Sequence, residues 1–155
     1  MTREDAYYER IKLLCGDWAS YDKWLNCYLE TENPLSNIIL TLIDCGDDMK
    51  EVEYHLHLYC LENPFDEESV YTRLRVELCD RYEKNEMTTD EVMSALYHFS
   101  QVIPFCTFSN CCADLSDYYC LVEEGVVDTK KFDTVLKDWL KNGEVINTKK
   151  MWEII

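Results

Sequence analysis

Glu51-Val52-Glu53-Tyr54-His55-Leu56-His57-Leu58 is the stretch on which the fold turns, because polar and apolar residues alternate through it as they do in a half-buried strand. Extended from Asp48 to Glu62, the same residues also fit a helix, with Val52, Leu56, Tyr59 and Cys60 returning to one face. Three features favour the helix. Asp47-Asp48 supply a helix start just after a stop at Gly46, and the segment outruns a usual strand of about 5–6 residues. No second convincing strand exists elsewhere, and a lone strand would leave its backbone edges unpaired.

Outward from this segment, helical spacing recurs on both sides. Toward the N-terminus, Tyr7, Tyr8, Ile11, Leu14, Cys15 and Trp18 mark a first amphipathic face, started by Thr2 and Asp5 in the manner of a capping box. Tyr21, Trp24, Leu25, Tyr28 and Leu29 repeat the pattern after Ser20 as cap. Leu35, Ile38, Ile39, Leu42 and Ile43 do so again, with Asn33 as cap and Pro34 at the first helical position. Toward the C-terminus, a fifth helix spans Asp66 to Lys84 with Val70, Tyr71, Leu74, Leu78 and Tyr82 inward. A sixth starts at Thr89 and carries Val92, Ala95, Leu96 and Phe99.

Residues 101–113, with Pro104, small polar residues and three cysteines, read as the longest irregular connection. Leu115, Tyr118, Tyr119 and Val122 mark a seventh helix ending at Gly125, and Phe132, Val135, Leu136, Trp139 and Leu140 an eighth ending at Asn142-Gly143. The final residues, with Val145, Ile146, Met151, Trp152, Ile154 and Ile155, are too apolar for a solvated tail and are expected to pack back. The expectation is therefore one all-α domain over residues 1–155, about eight short helices packed as antiparallel helical hairpins.

Charge narrows the function. Asp and Glu number 31 against 15 Lys and Arg, a net charge of −16. A polyanion would be repelled, so direct nucleic-acid binding is not expected. Four glycines, no two of them close, cannot build a phosphate loop or a dinucleotide fingerprint, which removes nucleotide-dependent enzymes. No apolar run is long enough for a membrane span or a signal peptide, so the expected location is cytoplasmic, with the nine cysteines reduced. The acid excess is uneven, and residues 85–129 contain eight acids and no Lys or Arg. Self-repulsion of this kind opposes folding and would be offset by a cationic partner.

Candidate partner-binding acids fall in three groups at helix starts: Asp47, Asp48 and Glu51; Asp66, Glu67 and Glu68; Asp90 and Glu91. The macrodipole accounts for some of them, since carboxylates are favoured at helix N-termini. Asp44-Cys-Gly-Asp-Asp lacks the alternating oxygens of a calcium loop. On a helix His55 and His57 diverge by about 200°, which disfavours a shared metal. Cys106, Cys111, Cys112 and Cys120, with His98, could begin a zinc site or a thiol active site, but the spacing fits neither well. Neither cofactor nor metal is expected, nor is enzymatic turnover. The tyrosines, Tyr54 and Tyr97 among them, would serve as anchors in a protein interface.

Asp47-Asp48, Asp66-Glu67-Glu68 and Thr88-Thr89-Asp90-Glu91, together with the stretch Leu115 to Asp128, give a chain that resembles the small acidic all-helical immunity proteins of bacterial toxin systems, including contact-dependent growth inhibition. The resemblance implies a basic protein partner, commonly a nuclease toxin domain whose cleft is blocked. Two alternatives stand beside it: a DNA-mimic inhibitor from a phage or mobile element, and a zinc- or thiol-dependent enzyme built on the Cys106–Cys120 cluster.

Overall fold

The computed structural model of the chain describes residues 1–144, which form eight helices and, among the described residues, no strand. They are α1 (Arg3–Leu14), α2 (Tyr21–Thr31), α3 (Asn37–Cys45), α4 (Met49–Leu61), α5 (Glu67–Glu83), α6 (Thr89–Val102), α7 (Thr107–Glu123) and α8 (Thr129–Asn142). Two compact units divide them, Met1–Val70 and Tyr71–Ile155, and each is described by itself. The expectation for Val145, Ile146, Met151, Trp152, Ile154 and Ile155 lies outside the described residues.

In the first unit α4 runs antiparallel to α1. Arg10 Nε meets Glu53 Oε1 at 2.7 Å, while at the far end Arg3 Nε donates to the Tyr59 carbonyl at 3.2 Å and Arg3 also holds Glu62 at 3.0 Å. α3 and α4 form a hairpin closed by Gly46 and capped by Asp48, whose Oδ1 accepts from the N–H groups of Lys50 and Glu51. The core between these helices is fully occluded at Ala6, Ile39, Leu42, Val52 and Leu56. Glu9 is buried with them, and burial, with Cys45 and Glu9 adding to it, pushes the Tyr21 phenol up.

Two helical hairpins build the second unit, and they are variations on one design. α5 ends in a left-handed residue, Asn85 (φ +57°), and α7 in another, Gly125 (φ +74°). In each the next N–H reaches back to a helical carbonyl, Glu86 to Arg81 and Val126 to Leu121, the bond pattern that closes a helix with a positive-φ residue. A cap follows three residues on: Thr88, in a reciprocal capping box with Glu91, and Asp128, which accepts from Lys130 and Lys131. At the same sequence offset Val92, Leu96 and Phe99 match Phe132, Leu136 and Trp139, all buried. Phe108 then joins the hairpins, stacked on Tyr71 at 5.2 Å and set against Phe99 and Trp139 at 6.1 and 5.8 Å. Apart from Asn33-Pro34-Leu35 and Asn63-Pro64-Phe65, 30 residues apart and each just before an expected helix, no repeat is visible in the sequence, because only turn and core positions recur.

The structure corrects several expectations. Residues 101–113 are mostly helix, with a connection of 103–106 only, because Phe108, Cys111 and Cys112 are buried and Ser109 Oγ bonds the Cys106 backbone. Among the described connections, 15–20 is longer. The third helix begins at Asn37 rather than at Pro34, since the N–H and hydroxyl of Ser36 both bond Glu32 Oε2. Ser20 makes no capping bond and instead receives Lys12 Nζ at 3.0 Å. Trp18, Leu14, Leu29 and Ile43, expected inward, are exposed. The helix expected over Asp48 to Glu62 is present, and all nine cysteines are free thiols.

Candidate functional site

The three acidic groups occupy three different places. Asp47, Asp48 and Glu51 surround the start of α4, whereas Asp66, Glu67 and Glu68 follow its far end, where the Asp66 N–H bonds Glu4 Oε1 at the start of α1. The 13 residues of α4 therefore separate the two groups by about 20 Å at 1.5 Å per residue. Asp90 and Glu91 belong to the second unit.

Local structure already uses several of these carboxylates. Asp48 caps α4, Asp66 accepts from the Ser69 N–H at 3.1 Å, and Glu91 returns the Thr88 N–H at 2.7 Å. Asp90 accepts from the Tyr119 hydroxyl, which pushes that phenol up to about 12. Glu51 lies 3.6 Å from His55 Nε2. Asp47 and Glu68 are exposed.

The thiol cluster is dispersed along α7. Cys106 stands at its N-cap, Cys111 and Cys112 face the core, and Cys120 faces outward. Burial, reinforced by Cys111 and Cys106, pushes the Cys112 thiol up. His98 turns back along α6, its Nδ1 2.7 Å from the Ser94 carbonyl. Among the described residues no three His, Cys, Asp or Glu side chains converge as a metal site, and no helix is long and apolar enough to cross a membrane.

A cleft of about 630 Å³ lies beside the end of α5 and α8 in the second unit. Its polar centre is closed on itself. Tyr82 donates to Asp133 Oδ1 at 2.8 Å, and Lys137 Nζ takes Asp133 Oδ2 at 2.7 Å. Lys137, opposed by burial and aided by Tyr82, holds the Asp133 carboxyl below its ordinary range.

Sequence reasoning named Tyr54 as an anchor but missed the apolar surface of α4 that Leu58 and Leu61 share with it. Val52, Leu56 and Cys60 face the core, while Tyr54, Leu58 and Leu61 are 52%, 40% and 67% exposed. Residues two apart on a helix diverge by about 200°, so alternation through 51–58 describes a helix with an apolar stripe on each of two opposite faces. The strand-like signal was available in the sequence as a statement about α4's surface. Comparison of the chain with protein-family models, with curated proteins and with solved structures gives no match.

Proposed function

We propose that the chain is a non-catalytic acidic binding protein that neutralises a basic protein partner, and that it acts as the immunity protein of a nuclease toxin. The supporting observation is the stretch 85–129, which contains α6 and α7 and carries eight acids without a Lys or Arg. Within it the Asp114 carboxyl is pushed up by burial and by neighbouring Asp117. Repulsion of this kind opposes the folded state, and a cationic partner would relieve it.

Co-purification from the native host, with identification of the bound protein and assay of its activity in and out of the complex, tests the reading. The expected result is a basic protein whose nuclease activity is suppressed in the complex. Recovery of no basic protein, or of one whose activity is unchanged, contradicts it. A toxin gene beside this one fits immunity, and a phage operon beside restriction genes would favour the DNA mimic.

A further inference from the structure

We propose that the outward face of α4 is the docking surface, and that its occupant is an amphipathic helical segment of the partner, apolar along one stripe and basic at both ends. The proposal rests on the reading of the chain as a binder of a basic protein and assigns one contact of that binding to α4, outside the stretch 85–129 that supports the reading. Tyr54, Leu58 and Leu61 recur at i, i+4 and i+7, the spacing with which one helix receives another in a groove. Their Cα positions lie opposite Val52, Leu56 and Cys60, so the core of the first unit already has its own stripe on this helix and does not need a second.

The stripe does not stand alone. Leu40 and Ile43 on the preceding α3 are also exposed, 46% and 42%. At the N-terminal end the stripe meets Asp47, Asp48 and Glu51, with Lys50 as the one base among them. At the other end Leu61 is followed by Glu62 and by Asp66, Glu67 and Glu68, so the apolar stripe lies between acids about 20 Å apart along α4. A second copy of this chain would set acids against acids in either a parallel or an antiparallel approach, with each copy at −16. A partner bearing Lys or Arg at both ends of an apolar stripe matches the charge and the spacing together.

The full chain, isotope-labelled, is titrated with a synthetic helical peptide carrying Leu at i, i+4 and i+7 and Lys at both ends, and with a scrambled peptide of the same composition. The expected result is that amide shifts concentrate on 40–61, that the scrambled peptide binds at least tenfold more weakly, and that Leu58→Ser/Leu61→Ser weakens the amphipathic peptide at least tenfold. Asp47→Lys/Glu51→Lys and Glu67→Lys/Glu68→Lys, at the two ends of the stripe, should each weaken it as well. Binding that shifts another face, equal binding of the two peptides, or indifference to Leu58→Ser/Leu61→Ser overturns the α4 assignment and leaves the basic-partner reading standing. Failure of both peptides to bind anywhere defeats the two together. A dimer in sedimentation that Leu58→Ser/Leu61→Ser dissociates gives the surface to a second copy and also overturns the proposal.

Discussion

α4 and α8 are helices of similar length that treat apolar residues differently. α8 turns Phe132, Leu136, Trp139 and Leu140 inward and presents Lys130, Lys131, Thr134, Lys137, Asp138 and Lys141 to solvent. α4 turns Val52, Leu56 and Cys60 inward and presents Tyr54, Leu58 and Leu61 outward. Burial explains one stripe on each helix. The second stripe on α4 is covered only in part, with Tyr54, Leu58 and Leu61 52%, 40% and 67% exposed, so the fold accounts for it less fully than for the first.

Core substitutions give the largest effect with which to break this comparison. Leu56 and Leu136 are both fully buried, and Leu56→Ala and Leu136→Ala should each lower stability by about 2–5 kcal/mol in urea unfolding. An inner stripe on α4 worth much less than that on α8 would mean that α4 is not a core helix. The caps come next. Asp48→Ala and Thr88→Ala should each cost about 0.5–2 kcal/mol, whereas Asp48→Asn keeps a capping oxygen and removes only the charge. If Asp48→Asn costs as much as Asp48→Ala, the role of Asp48 at this helix start is electrostatic.

Acid titration sharpens the account of α8. Asp133 has a folded pKa below its unfolded value, so its contribution is present above the unfolded pKa and is lost as pH falls through the folded one. The parent should therefore lose more stability than Asp133→Asn as pH is lowered through the carboxylate range, and parallel pH profiles would remove Asp133 from the account. The smallest effect belongs to the outer stripe. Leu58→Ser should change unfolding free energy by no more than about 0.5 kcal/mol, although Leu56 lies only two residues away.

Much of the helical architecture is legible because caps and apolar spacing agree, as at Thr2, Asp48 and Thr88. The start of α7 is not, because Thr107, Ser109, Asn110, Cys111 and Cys112 are weak helix formers, and burial of Phe108 with the two cysteines overrides propensity. The acidic groups are visible as composition but not as places. Position along the chain does not show that α4 holds Asp47 and Glu68 apart, nor that Asp66 and Glu91 are occupied at helix starts. The outer stripe of α4 is legible in principle, since a period of two and a two-faced helix write the same letters. Length and the lack of a pairing strand separate them, and the residues left over then become a surface.

Stopped-flow association of this chain with the basic protein recovered from its host tests the central claim most directly, between about 0.1 M and about 1 M salt, over which the Debye length falls from about 10 Å to about 3 Å. The account predicts a rate that falls steeply with salt and that, at the lower salt, falls again in Asp47→Lys/Glu51→Lys while helical content is unchanged. A rate that is equal at both salts and in the charge-reversed chain would contradict it.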